Sequence, residues 1–224
     1  MRGFWGPVTT VLWKDVLLEL RTKDIVVSVL VFAVLVIVIF NFALDPTPDM
    51  VALVAPGVLW VAFTFGGVLG LTRSFALERE RGNLHGLLLA PVGRDAIFFG
   101  KMLGNFLFML VVELFVFPVF VVLFDFSFNM PALIPIALLA TLGIATVGTV
   151  FSAMAVNTRS REVMLPLLFF PVVLPLIVAA VEASGAVIRA EDSGDLTRWI
   201  PFMVVFDSIF LVVCPLAFNI AIED

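Results

Sequence analysis

Cysteine, histidine and charge are scarce in this chain. Its 224 residues include one cysteine, Cys214, and one histidine, His85. A single cysteine excludes a disulfide scaffold and any cysteine-based zinc or iron–sulfur site. A single histidine excludes a bis-histidine haem, which needs paired axial ligands. Tyrosine is absent. No G-x-x-x-x-G-K-S/T stretch is present to cradle a nucleotide, so the chain is not by itself a Walker-type ATPase. His85 lies in an expected cytoplasmic loop, away from any buried serine, which argues against an intramembrane Ser–His hydrolase. No His, Asp or Glu cluster has metal-ligand spacing. The residue types that carry conventional catalysis are missing, and no enzymatic activity is expected of this chain.

What is abundant is apolar surface. Hydrophobic residues make up 62% of the chain, charged residues 14%, and the mean hydropathy is +1.18. Soluble domains run at about 45–50% and about 25%. A water-soluble fold of this length has too little interior to hide the excess, so much of it must face lipid. The expected fold class is an all-α integral membrane protein.

Apolar runs of about 20 residues are long enough to span a bilayer as helices. Six occur: Ile25–Leu44, Val51–Leu71, Leu103–Phe124, Ala132–Val156, Val163–Val181 and Pro201–Ile222. No small-residue cleavage site follows a short apolar region near the start, so the first span is expected to serve as its own insertion signal. With the N-terminus inside, Arg2, Lys14, Arg21, Lys23, Arg73, Arg79, Arg81, Arg94, Lys101, Arg159 and Arg161 all lie on the inner side. Only Arg189 and Arg198 remain outside, facing Asp45, Asp49, Asp125, Glu182, Glu191, Asp192 and Asp195. This bias fixes both termini in the cytoplasm. The net charge of −5 argues against nucleic acid as a partner.

Ahead of the first span, Gly3–Leu20 is amphipathic. Trp5, Val8, Leu12, Val16 and Leu20 recur at helical steps, with Lys14, Asp15 and Glu19 largely opposite. Such a helix can lie in the inner membrane interface, with Trp5 and Trp13 at headgroup level; the alternative is packing against the spans. Gly66 and Gly70, and Gly100 and Gly104, have the spacing that lets helices approach closely. In the fourth span Thr141, Ala145, Gly148 or Thr149, and Ser152 share one stripe, read as helix packing rather than a substrate path. Pro166, Pro171 and Pro175 predict a kinked or broken fifth span, leaving room for a short re-entrant piece on the outer side.

Two acids fall inside apolar runs. Glu113 lies near the middle of the third span, about 10 residues or roughly 15 Å from either end. Asp207 lies about one and a half turns inside the expected outer end of the sixth. A charge at bilayer depth costs about 2.5–3.5 kcal/mol on insertion scales, so such groups face the bundle or a wet cavity. They either line a path or form a conformational latch, or they are protonated or hydrogen-bonded structural groups with partners such as Asn105, Asn41 or a broken-helix amide.

The loop joining the second and third spans, Thr72–Asp95, is the most informative. Glu78, Arg79 and Glu80 alternate in charge. Gly82 follows, then Leu84, Leu87 and Leu88 at helical steps beside His85, then a stop at Pro91. This pattern describes a short cytosolic helix whose apolar ridge docks into a groove on another protein; the alternative is a solvated charged loop.

Glu-Arg-Glu-x-Gly-x-Leu followed by Leu-Leu-x-x-Pro-Val resembles the coupling segment of ABC-2-type exporter permeases, whose ATPases are separate subunits. Ala55-Pro56-Gly57-Val58-Leu59-Trp60-Val61-Ala62 resembles the signature of the haem exporter protein B family, the CcmB permeases of cytochrome c maturation. Glu19-Leu20-Arg21, Arg73-Ser74-Phe75 and Leu165-Pro166-Leu167-Leu168 fit the same family. The resemblance covers essentially the whole chain, including its six-span plan. One departure is His85, where relatives often carry an acidic residue.

The resemblance implies one permease domain over residues 1–224, in the bacterial inner membrane, acting as a homodimer with two copies of a cytosolic ATP-binding subunit. It further implies a haem-presenting membrane subunit and a periplasmic haem chaperone, released once loaded. ATP would bind the partner, and haem would be the handled ligand. No cofactor is expected on this chain itself, because methionines such as Met102, Met109, Met154, Met164 and Met203 more often fill gaps than ligate haem. An ABC-2 exporter of a lipid, glycan or drug is the alternative, motivated by the more general coupling motif. A passive channel or membrane scaffold is a third, motivated by the lack of a nucleotide site.

Overall fold

A backbone in lipid has only itself for hydrogen bonding, and a helix pairs every interior N–H and C=O within one segment. The computed structural model of this chain follows that constraint. It describes residues 3–22, 24–44, 48–80, 92–124, 130–156, 161–189 and 194–221. These form seven helices with no strand among the described residues: α1 (Trp5–Thr22), α2 (Asp24–Leu44), α3 (Pro48–Glu80), α4 (Arg94–Phe124), α5 (Met130–Val156), α6 (Arg161–Ile188) and α7 (Gly194–Ala221). Helices α2 to α7 are each long and apolar enough to cross a membrane.

Side-chain hydrogen bonds tie neighbouring helices together at their ends. Asn41 at the end of α2 donates to the Leu123 carbonyl at the end of α4 (2.8 Å). Arg94 at the start of α4 donates to the Asn219 carbonyl at the end of α7 (3.1 Å), and Asn219 donates back to Asp95 (2.7 Å). The interior belongs to α3 and α5, whose apolar windows are 61% and 67% buried, against 17% for α2. α5 touches α3, α4, α6 and α7, while α1 lies along α4.

Four sequence expectations need correction. The third span starts at Arg94 rather than Leu103, and Ala96, Ile97 and Phe98 are buried in its first turns. Lys101 interrupts the apolar run without interrupting the helix. The fifth span is not broken and carries no re-entrant piece, for α6 is one helix through Pro166, Pro171 and Pro175. Pro171 and Pro175 lie on its exposed side, whereas Leu165, Phe169, Val173, Leu176 and Ala180 form the buried stripe. Lipid offers no replacement for the remaining backbone bonds, so breaking the helix would cost more than the three lost donors.

Much of the expected outer loop between the last two spans is also helical. α6 continues to Ile188 because Ala183, Ser184 and Ala186 are buried, with Trp60 of α3 donating to Ser184 (3.0 Å). Finally, α1 does not bury the stripe from Trp5 to Leu20. Val8 and Val11 are its buried residues, while Trp5, Trp13 and Leu20 are exposed. The helix therefore packs on α4 along one side and keeps its tryptophans outward, available to the interface. Asp15 turns towards Lys101 of α4.

Candidate functional site

The expected coupling residues divide at the end of α3. Glu78, Arg79 and Glu80 form its last turn, so the helix outruns the membrane-spanning window Ala52–Thr72. Its 33 residues measure about 50 Å, against about 30 Å for the hydrocarbon core. Gly82, Leu84, His85, Leu87, Leu88 and Pro91 lie outside the described residues.

Glu113 is buried on α4 and accepts a hydrogen bond from the Thr141 hydroxyl of α5. Two turns towards the N-terminus of α4, Asn105 donates to Thr149 of α5 (2.9 Å), and Thr149 donates to the Ala145 carbonyl (2.6 Å). Ser152 donates to the Leu71 carbonyl of α3 (2.6 Å). The small-residue stripe of the fourth span is thus a row of polar rungs joining α5 to α4 and α3. Asn105 and Asn41 each have other partners and neither serves Glu113. Beside Glu113, a narrow cleft lined by Phe63, Gly67, Phe108, Met109 and Val112 has no room for a water molecule.

Asp207 lies deeper than the sequence implied. Because α7 begins at Gly194, Asp207 stands midway along its 28 residues. Its side chain is buried, and neither oxygen has a hydrogen-bond partner among the described residues. It packs against Gly143 of α5, where an added Cβ would stand 2.5 Å from its Oδ1 and 2.4 Å from Leu176. Only glycine leaves the carboxylate that space. Thr141 and Gly143 are two residues apart, about 3 Å of rise and nearly opposite in direction. The two acids therefore flank α5 at one depth, a pairing the linear sequence conceals.

Lys101 was counted in the sequence only as an inner-side charge. It is 2% exposed, the one buried cation among the described residues. Its Nζ lies 3.0 Å from Asp15 Oδ2 and 3.3 Å from Oδ1, donates to the Ser74 carbonyl at 2.9 Å, and sits 5.0 Å from the Phe75 ring centre. This explains why Asp15 turns inward from α1. Such a site has no signature in sequence, since its members are distributed over three helices.

Among the described residues, no group of His, Cys, Asp or Glu is arranged to hold a metal ion. The arrangement is that of a membrane bundle with a protruding helical stem and charged or polar joints between helices. Comparison with known proteins extends this description. The family model described as CcmB protein matches residues 7–224. Heme exporter protein B of Rhodobacter capsulatus is 28% identical over 154 residues, covering 68% of this chain and 71% of that protein. Heme exporter protein B of Pseudomonas aeruginosa is 26% identical over 172 residues, covering 76% and 77%. Heme exporter protein B of Paracoccus denitrificans is 28% identical over 189 residues, covering 84% and 85%.

Proposed function

The chain belongs to the CcmB protein family, and from that premise we propose that it is the permease subunit of a haem-export ABC system for cytochrome c maturation. The single observation that carries this reading is the match over residues 7–224, which takes in all six spans and the whole coupling segment. The chain couples to ATP and does not hydrolyse it. A homodimer of the permease engages two copies of a cytosolic ATPase through Glu78, Arg79, Glu80, Gly82, Leu84, His85, Leu87, Leu88 and Pro91. A haem-presenting membrane subunit and a periplasmic haem chaperone complete the assembly. The complex lies in the bacterial inner membrane, with both termini of this chain in the cytoplasm.

The protruding end of α3 supports ATPase coupling, because a helix continuing without interruption transmits displacement into the bundle. Haem ligands belong to the partners, since the chain's single histidine lies in the coupling segment. ATP-driven motion of this subunit releases the loaded chaperone. Mass spectrometry of the detergent-purified complex tests the reading. Recovery of the ATPase together with haem-binding subunits is expected. An ATPase recovered without any haem-handling protein would point instead to an exporter of lipid, glycan or drug.

Glu113 is proposed as a latch between α4 and α5. Glu113→Gln keeps a hydrogen-bond acceptor for Thr141 and removes the ionisable group. The complex is expected to assemble in normal amount but release the loaded chaperone about tenfold more slowly, equivalent to about 1.4 kcal/mol in the barrier. Release kinetics in reconstituted membranes measure this, and an unchanged rate would return Glu113 to a packing role.

A further inference from the structure

A buried ammonium group is retained only where several partners replace its water. Those around Lys101 come from two other helices. Asp15 is contributed by α1, and the Ser74 carbonyl and Phe75 ring by α3. Lys14 reaches the same Asp15 carboxylate from α1 at 3.2 Å, but is itself 43% exposed. The neighbouring glycines bring α1 within range. A Cβ on Gly100 would stand 2.7 Å from Val11 Cβ and 3.0 Å from the Val8 carbonyl oxygen, and one on Gly104 would meet Asp15 at 3.5 Å. The lysine is thus held between two glycines, Gly100 and Gly104, that let α1 pack closely on α4.

Ser74 and Phe75 stand at the base of the α3 stem, which runs on to Glu80 and into the coupling segment. We propose that Lys101 is a positioning residue that makes α1 follow the stem of α3, so that a displacement of the coupling segment moves the interfacial helix with it. The inference rests on the ATPase-coupled reading above. It also gives α1 a role: with Trp5 and Trp13 exposed, the moving helix carries its aromatic face through the inner interface.

Hydrogen–deuterium exchange of the permease–ATPase complex, with and without ATP, tests the linkage. In the wild type, ATP is expected to alter exchange both in the stem, residues 72–80, and in α1, residues 5–22. Asp15→Asn removes the charge from the α1 contact and leaves Ser74 in place. The stem is expected to keep its response while α1 loses its own. ATPase co-purification stays unchanged, and covalent haem attachment to c-type cytochromes falls about tenfold, the scale of one lost charge-assisted contact. Lys101→Met, which severs both contacts, is expected to fall at least as far. If it fails to accumulate, Asp15→Asn decides alone.

An α1 response that persists in Asp15→Asn would overturn the proposal. So would an α1 that ignores ATP in a wild-type complex whose stem responds. Failure to recover any ATPase with the wild-type chain would instead overturn the functional reading, and the linkage would fall with it. These results are distinct.

Discussion

In a strain lacking this chain, covalently haem-stained c-type cytochromes are expected to disappear while b-type haems persist. The effect should be all-or-none. A subunit that stored or ligated haem would leave a residual level set by haem affinity elsewhere. The proposed contribution is mechanical, a bundle that converts an ATPase stroke into rearrangement on the outer side, and removing a transmission leaves no partial route. Haem staining of membrane fractions after denaturing electrophoresis reads the covalent cytochromes, and difference spectroscopy reads the b-type haems. Normal c-type cytochromes in the deletion strain would sink the functional proposal outright, and simultaneous loss of b-type haems would point to a general haem shortage instead.

Changing Leu87 and Leu88 together to aspartate is expected to strip the ATPase from the permease. Each leucine buried in a docking groove contributes about 1.5–3 kcal/mol. Interface energy concentrates in a few such side chains. Losing both weakens binding by roughly 10²- to 10⁴-fold, before the cost of placing two carboxylates against an apolar groove. Recovery of the ATPase with a tagged permease measures the loss. The variant should still insert and fold, because the six spans are separate from this ridge. Undiminished ATPase recovery would move the docking surface elsewhere, with the last turn of α3, Glu78 to Glu80, as the next place to look.

The sequence yielded best where lipid limits the choices. Bilayer thickness and the need to satisfy every backbone group gave six spans, and all six are present. The Thr141 to Ser152 stripe was also legible, because small residues at helical spacing have few uses in a membrane other than close packing. Lys101 was not legible. A lysine between apolar runs reads as a boundary, and only the fold brings Asp15 and the Ser74 carbonyl around it to make burial tolerable.

The same blindness to distant partners misplaced the buried face of α1, where Asp15 was placed opposite the apolar stripe. It also set Asp207 near an outer end, because Pro201 looked like a helix start while the chain was already helical from Gly194. Proline was overread in α6 for a related reason. Its cost was weighed without the buried stripe of Leu165, Phe169, Val173, Leu176 and Ala180, whose packing favours one continuous helix. Of the candidate coupling residues, Glu78, Arg79 and Glu80 end α3, and the others lie outside the described residues.

α3 is one helix from Pro48 to Glu80, with Trp60 held to α6 in its first half and Ser74 held by Lys101 near its C-terminal end. On the proposed function, those two ends answer to different compartments, and the influence between them is reciprocal. If ATP binding below favours one tilt of α3, whatever binds that tilt better on the outer side must tighten nucleotide binding by the same factor. The nucleotide affinity of the cytosolic subunit is then a gauge of periplasmic occupancy. An empty outer site and a loaded one would be told apart, from inside the cell, by how readily ATP is held.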